Sequence, residues 1–141
     1  MLLENSKKLL GKNMKILGIG VDVIENKRIK NLIKNKRFIL RTFGKKELEL
    51  SKRSLNKVNY FAKRFAAKEA LAKAIGTGFR NNLNFRNIQI LNNTLGKPYY
   101  FKSNKINDMI KKRFKIKRYN LFLSITDEKD YSVAFTILQT L

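Results

Sequence analysis

An alanine-rich stretch from Asn59 to Gly78 constrains the fold more than any other part of the chain. It reads NYFAKRFAAKEALAKAIGTG, and neither proline nor glycine interrupts it before Gly76. Because alanine, leucine and lysine are strong helix formers, the stretch predicts a long helix over residues 55–75. Gly76 can take the left-handed backbone conformation, so it is predicted to end that helix.

Charged side chains interrupt the apolar side of this predicted helix. On a helical wheel, that broad apolar side is formed by Phe61, Phe65, Leu71, Ala72 and Ile75. Arg64 and Lys68 project into the same side. A helix packed into a core should not carry charges there.

The length and the distribution of apolar residues predict one domain without a membrane span. A chain of 141 residues can bury a core of useful size, and no repeat or linker divides it. No apolar run approaches the length of about 18 residues that a membrane span needs. Residues 1–13, MLLENSKKLLGKN, lack the apolar segment of a signal peptide, which predicts a cytoplasmic protein.

The chain has no cysteine and no histidine, which removes most of the usual catalytic groups. A thiolate nucleophile, a disulfide, a zinc finger and an imidazole base are all excluded. Any metal must therefore be a hard cation bound by carboxylates. Of the ten acidic residues, only Asp22 and Glu69 lie in apolar sequence surroundings. The others, Glu47 among them, are predicted to lie in polar or turn-like surroundings.

The formal net charge of +22, from 32 basic and 10 acidic residues, predicts attraction to polyanions. Nucleic acid, anionic lipid, a phosphorylated ligand and an acidic protein all remain open as partners. Lysine supplies 23 of the 32 cations and asparagine is abundant, so compositional drift in an AT-rich genome is a competing explanation. Charge alone therefore does not identify the partner.

The remaining pattern predicts an α+β domain in which the long central helix packs on an antiparallel sheet. Residues 15–24, KILGIGVDVI, indicate a buried strand that contains two glycines. A short helix is predicted over 25–36, and a loop with a second short helix over 38–54. Two hairpins are predicted with a basic amphipathic helix between them: 85–91 with 97–101, the helix over 106–114, and 121–126 with 131–138.

Three separated motifs carry a resemblance to a known enzyme family. They are GIGVDVIENKRI (18–29), FAKRFAAKEALAKAIGTG (61–78) and LGKP (95–98). In order and spacing they resemble the holo-(acyl-carrier-protein) synthases, which are small 4′-phosphopantetheinyl transferases. The resemblance covers residues 14–141, the expected transferase domain. Residues 1–13 are expected to be a disordered extension or the product of an upstream start codon.

The resemblance implies transfer of the 4′-phosphopantetheine arm of coenzyme A to a serine of apo-acyl carrier protein, in support of fatty acid biosynthesis. Adenosine 3′,5′-bisphosphate is released. Transfer of this kind depends on positioning and on charge neutralisation around a pyrophosphate. The resemblance further implies Mg²⁺ held by Asp22 and Glu69, with coordination positions left for phosphate oxygens and water. The alternative for Asp22 is a strand-end residue that caps a turn.

The same resemblance places three cations of the central helix, Arg64, Lys68 and Lys73, near the phosphates of coenzyme A. A helix surface held by salt bridges is the alternative for these cations. Arg28 is implied to grip the acidic carrier protein, and its alternative is a solvated helix arginine.

Two glycine-containing turns are implied to contact the nucleotide. Gly76, Thr77 and Gly78 form the family's GTG turn, where small residues let the backbone approach closely. Gly96, Lys97 and Pro98 match a GKP motif near the adenosine end. An ordinary helix end is the alternative, or a concurrent role, for Gly76.

One position departs from the family pattern. Many members carry a histidine in an SLSH motif on the penultimate strand. The corresponding stretch here is LSITDEKDY, residues 123–131, with Asp127 near the histidine position. The general base is therefore left open. A metal-activated water oriented by Glu69 is the preferred candidate for deprotonating the serine, and Lys73 is expected to stabilise charge on the leaving phosphate.

The presence of a single transferase unit has an implication for assembly. Larger members of the family contain two such units and form the site between them, whereas this chain has one. The resemblance implies a homotrimer with sites at subunit interfaces. The competing hypothesis is a basic nucleic-acid-binding protein, based on the charge and on cations beside Phe114 and Tyr119. Core packing explains those aromatic residues better, so neither nucleic acid nor a membrane is the predicted partner.

Overall fold

A three-stranded antiparallel sheet packed against one long helix forms the centre of the computed structural model, which describes residues 14–76 and 83–141. The predicted α+β architecture is confirmed. The predictions for residues 1–13, Thr77 and Gly78 fall outside the described ranges. Within those ranges, no helix combines the length and the apolar character needed to cross a bilayer.

Along the described chain, one strand comes first, four helices follow it, and the other four strands and a fifth helix come after them. The helices are α1 (Asn26–Leu32), α2 (Lys36–Thr42), α3 (Lys45–Ser51), α4 (Lys57–Ile75) and α5 (Asn104–Phe114). The strands are β1 (Ile16–Glu25), β2 (Gln89–Asn92), β3 (Pro98–Phe101), β4 (Tyr119–Asp127) and β5 (Tyr131–Thr140). The main sheet has the order β1-β5-β4, and β2 pairs with β3 in a separate hairpin. Both predicted hairpins are thus confirmed.

The predicted long helix is confirmed as α4, and its two ends follow from its sequence. At the first turn, the side chain of Asn56 accepts a hydrogen bond from the backbone N–H of Asn59 at 3.0 Å. At the other end, Gly76 has a φ of 80° and donates its N–H to the carbonyl of Ala72. This left-handed conformation is the predicted helix end.

Helix α4 lies directly on strand β1 because two glycines leave room for it. A Cβ atom at Gly18 would lie 1.8 Å from the carbonyl oxygen of Ala74, and one at Gly20 would lie 1.7 Å from that of Ala70. Side chains at these positions would force the helix away from the sheet. The close approach places Asp22, two residues beyond Gly20 on the same face of β1, beside the helix.

The opposite face of the sheet carries apolar side chains that nothing in the described chain covers. Alternating residues of β1 are about half exposed there, with Ile19 at 56%, Val21 at 50% and Val23 at 58%. Phe122 at 49% and Phe135 at 40% lie on the same side. We call these five residues the outer apolar face. The prediction that β1 is buried is therefore wrong for half of its side chains, because α4 covers one side of the sheet only.

Two local predictions are also corrected. The segment predicted as a loop from Phe38 onwards is helical, since Asn35 caps α2 by accepting hydrogen bonds from the N–H groups of Arg37 and Phe38. The predicted strand over 85–91 begins only at Gln89, because Phe85–Asn87 forms a 3₁₀ turn.

Candidate functional site

Asp22 and Lys73 meet where β1 crosses α4. The ammonium group of Lys73 donates to the Asp22 carboxylate at 3.0 Å and to the carbonyl oxygen of Val21 at 2.9 Å. The side chain of Asp22 is 16% exposed and that of Lys73 is 54% exposed. The pair therefore lies at the rim of the core, open to a ligand on one side.

Glu69 lies one helical turn before Lys73 and completes a cluster of four charged residues. Burial and then the neighbouring charge of Asp22 raise the pKa of the Glu69 carboxyl, against the opposing influence of Lys73 and Arg28. The four side chains are thus close enough to interact. Two carboxylates from different elements, Asp22 and Glu69, thus interact with each other and with the cations Lys73 and Arg28.

This donor set suits a hard divalent cation. Like charge on Asp22 disfavours ionisation of Glu69, and a cation between the two carboxylates would relieve that repulsion. Within residues 14–76 and 83–141, no group of three or more acidic side chains could hold a metal. Asp22 and Glu69 could hold an ion such as Mg²⁺, which commonly keeps water and phosphate oxygens as its remaining ligands.

Arg64 forms a second polar feature, about one and a half turns before Glu69 on α4. It is 6% exposed, its guanidinium lies 3.6 Å from the centre of the Tyr60 ring, and it donates to the side-chain oxygen of Asn92 at 2.8 Å. Burial lowers the pKa of Arg64. Its buried Nε has no hydrogen-bond partner among the described residues. An unpaired buried donor is costly, so this atom points to a missing acceptor.

A cavity of about 130 Å³ lies against Arg64, and part of the predicted GKP turn lines it. Gly96 and Pro98 line it together with Asp127. The remaining member of the turn, Lys97, lines a second cavity of about 500 Å³ that reaches Phe122 and Phe135 of the outer apolar face. Asp127 also accepts a hydrogen bond from the Asn59 amide at 2.5 Å. The residue at the family's histidine position is thus held beside Arg64, not beside Glu69.

Lys68 does not reach any of these openings. Its side chain is fully buried, and its ammonium group donates to Glu47 at 2.6 Å, to the carbonyl of Phe85 at 2.9 Å and to the carbonyl of Ile88. Burial lowers the pKa of Lys68 to about 8, although the carboxylate of Glu47 opposes this shift. All three N–H groups are engaged, so the placement contradicts the prediction that Lys68 contacts a phosphate.

Glu47 is the residue that sequence reasoning missed. The sequence predicts polar surroundings for it, yet its side chain is fully buried. Its carboxylate also accepts from the N–H of Gly44 at 3.0 Å and from the N–H of Ile90 at 3.2 Å. The one available signal was indirect: a lysine on the apolar side of α4 requires a buried anionic partner, and Glu47 provides it.

The comparisons with known proteins agree with this architecture. Residues 18–136 match the model of the 4′-phosphopantetheinyl transferase superfamily. The chain is 58% identical to a holo-(acyl-carrier-protein) synthase of Pelagibacter ubique, over 89% of this chain and 98% of the relative. It is 45% identical to the synthase of Ehrlichia chaffeensis, with the same two coverages.

Solved structures extend the similarity to the fold. The synthase of Neisseria meningitidis is 41% identical, with a TM-score of 0.78, over 88% of this chain and 98% of that one. The synthase of Bacillus anthracis, solved in complex with coenzyme A (3′,5′-ADP), is 31% identical, with a TM-score of 0.74, over 89% and 98%. With its sheet, its long helix and its ordered motifs, the chain belongs to the 4′-phosphopantetheinyl transferase superfamily.

Proposed function

We propose that this protein transfers the 4′-phosphopantetheine arm of coenzyme A to a serine of apo-acyl carrier protein. The products are holo-acyl carrier protein and adenosine 3′,5′-bisphosphate, in a step that supports fatty acid biosynthesis. The observation that carries the proposal is the meeting of Asp22, Glu69 and Lys73 at one rim of the core. The relatives named above, one of them with coenzyme A bound, support the same activity. We place the reaction in the cytoplasm.

The reaction forms a bond between the serine oxygen and the phosphorus of the phosphopantetheine phosphate. The bond from that phosphorus to the bridging oxygen of the pyrophosphate breaks. The serine proton must leave, and Glu69 is placed to accept it directly or through a water. The ammonium group of Lys73 stabilises charge on the departing phosphate.

Asp22 and Glu69 would hold Mg²⁺ in this proposal. Bound there, the ion would neutralise negative charge on the pyrophosphate oxygens and so favour the transfer. The half-exposed Lys73 can move from Asp22 to a phosphate, because its long side chain is flexible and its partner would then be occupied.

Coenzyme A is proposed to extend from this cluster towards Arg64. The unpaired Nε of Arg64 offers a charged donor to a phosphate oxygen, and the adjoining cavity is bordered by Gly96 and Pro98. Lys97 would contact the adenosine end from the neighbouring cavity. The GTG turn begins at Gly76, at the other end of α4, so it would approach the nucleotide of a neighbouring subunit in the proposed trimer. Lys68 is left out of this site, since its donors are used in the core.

The activity is tested by incubating the full chain with coenzyme A, Mg²⁺ and apo-acyl carrier protein. Intact-mass spectrometry of the carrier should show a gain of one phosphopantetheine group. A carrier with its serine replaced by alanine is the control and should gain nothing. An unchanged mass of the native carrier, with all reagents present, would refute the proposal.

Arg28 is proposed to bind the acidic carrier protein from the exposed side of α1. Arg28→Glu is expected to raise KM for the carrier by about tenfold, because it replaces attraction with repulsion at an interface. The dissociation constant of coenzyme A, measured by calorimetry, should stay the same. Arg37→Glu on α2 changes the charge equally and should raise KM much less. An equal loss of affinity for carrier and coenzyme A would instead make Arg28 part of the general electrostatics around Glu69.

A homotrimer is proposed because the outer apolar face needs a covering partner. Contiguous exposed apolar patches mark interaction sites, and this one adjoins Lys97 through the larger cavity. A second copy on this face would therefore border the proposed coenzyme A site. Light scattering should give three times the chain mass of 16.5 kDa.

Val21→Lys tests this arrangement directly. The side chain of Val21 is 50% exposed in the single chain, so lysine should be tolerated by the fold but not by a covered interface. We expect the variant to have the mass of a monomer and to lose most of its activity. Asn104→Lys, on the exposed start of α5, adds the same charge and should remain a trimer. If the Val21→Lys protein were still a trimer, the subunit interface would have to lie on a surface other than the outer apolar face.

A further inference from the structure

A second positively charged site lies at the end of the sheet where β4 begins, next to helix α5. It is a cleft of about 240 Å³. Four cations and two side-chain amides line it: Lys102, Lys111, Lys117, Arg118, Asn107 and Asn120. In the part of the chain that the structure describes, the two ion pairs lie elsewhere, so none of these cations has a carboxylate within 4.0 Å. Tyr119 and Leu141, the last residue of the chain, complete the lining, and none of the four cations is held in an ion pair with a described residue.

The cleft is separate from the cluster around Asp22 and Glu69. In the sheet, Asp22 is opposite Ala134, whereas Tyr119 at the cleft is opposite Thr140, further along the same strand β5. At about 3.4 Å per residue, the two positions lie roughly 20 Å apart. A ligand in the cleft would therefore not touch the proposed transferase site.

Several contacts hold the lining of the cleft in place. Lys102 donates to the carbonyl oxygen of Tyr119 at 2.9 Å, and its ammonium group lies 4.5 Å from the centre of the Tyr119 ring. Partial burial, and then the like charge of Lys111, lower the pKa of Lys102. The buried Tyr119 hydroxyl donates to the side-chain oxygen of Asn107, which leaves the amide N–H groups of Asn107 as its outward donors. The cleft therefore presents donors and positive charge.

We propose that this cleft binds a small phosphate-bearing anion at a second site of the protein. Compositional drift explains the number of lysines, but it does not explain why four cations and two amides line one concave surface. Charge-assisted hydrogen bonds from such a set are the usual means of holding a phosphate. A nucleic acid would need an extended basic track along its backbone, whereas this opening fits one or two phosphate groups.

The proposal is tested by NMR on the full chain, because NMR reports binding residue by residue. Inorganic phosphate, and then pyrophosphate, is added at constant ionic strength. The side-chain amide signals of Asn107 and Asn120 should shift and saturate. The double variant Lys111→Gln/Lys117→Gln should weaken this binding by about thirtyfold, since two charge-assisted contacts are lost. Its transferase activity should be unchanged.

A matched control separates a built site from general attraction. Lys105→Gln/Lys112→Gln removes two exposed cations of α5 that lie outside the cleft, and it should weaken binding less than twofold. Equal weakening by both pairs, or shifts that do not saturate, would overturn the proposal. The last measurement repeats the titration with a short single-stranded oligonucleotide. Tighter binding of the oligonucleotide than of pyrophosphate, with shifts that depend equally on both lysine pairs, would also overturn it.

Discussion

Asp22→Ala and Glu69→Ala are each expected to lower kcat/KM for the carrier by about 10³-fold, because each removes one of two proposed metal ligands. Charge stabilisation by such an ion supplies several kcal/mol, and each 1.36 kcal/mol corresponds to about a factor of ten. Excess Mg²⁺ should restore part of the activity, since one carboxylate remains. Calorimetric titration with Mg²⁺ in the presence of coenzyme A should show the same loss of affinity in both variants.

Neither substitution should unfold the protein. The ion pair of Asp22 with the half-exposed Lys73 contributes about 1 kcal/mol or less, and loss of either carboxylate also removes the repulsion between Asp22 and Glu69. The thermal midpoint should therefore stay close to that of the native chain. Asp108→Ala, on the exposed side of α5, is the control and should keep full activity. Full activity in Asp22→Ala or in Glu69→Ala would refute the proposed metal site.

Asp22 and Glu69 could be selected from the sequence as candidate metal ligands because each one differs from its immediate neighbours in the chain. Asp22 interrupts a β-branched run, and Glu69 interrupts a run of alanines, so each carboxylate stood out from its own neighbours. The glycines of β1 supplied the remaining condition, since they permit the helix to lie against the strand. The long helix and its end at Gly76 could be predicted for the same reason: they depend on residues close together in the chain.

Features that depend on distant residues could not be predicted in this way. Glu47 follows two lysines and precedes a Leu-Glu pair, which looks like an exposed helix. Its burial depends on Lys68 and on Ile90, more than 20 residues away along the chain. The outer apolar face posed a similar problem. A strand with apolar residues on both sides does not reveal whether its second side is covered by the same chain or by another.

Glu69 and Lys68, two charged residues in the mainly apolar sequence of helix α4, therefore have different explanations. Glu69 lies at the rim and interacts with charges that a ligand can replace. Lys68, its neighbour in sequence, points into the core and holds α3, the 3₁₀ turn and the start of β2 together through Glu47. Successive helical residues differ by about 100° in direction, which is why one of them can be functional and the next structural.

Lys68→Met is expected to lower the free energy of unfolding by about 3–5 kcal/mol, because it leaves the Glu47 carboxylate buried without its cation. The carbonyl oxygens of Phe85 and Ile88 also lose the hydrogen bond from Lys68, although that of Phe85 still accepts from the N–H of Ile88. Glu47→Gln should cost somewhat less, since glutamine keeps one oxygen acceptor for the surrounding N–H groups. Urea unfolding of the purified variants, fitted with one common slope, measures both changes.

The double variant Glu47→Gln/Lys68→Met distinguishes a structural role of Lys68 in the core from a role in binding coenzyme A. It contains no buried charge at this place, so it should be about 2 kcal/mol more stable than the sum of the single losses predicts. Its affinity for coenzyme A should equal that of the native chain, because Lys68 has no donor left for a phosphate. If stability recovered while coenzyme A affinity stayed low, Lys68 would contact the ligand after all.

Arg64→Gln provides the positive control: it should weaken coenzyme A binding by about tenfold, since its buried guanidinium borders the proposed phosphate cavity.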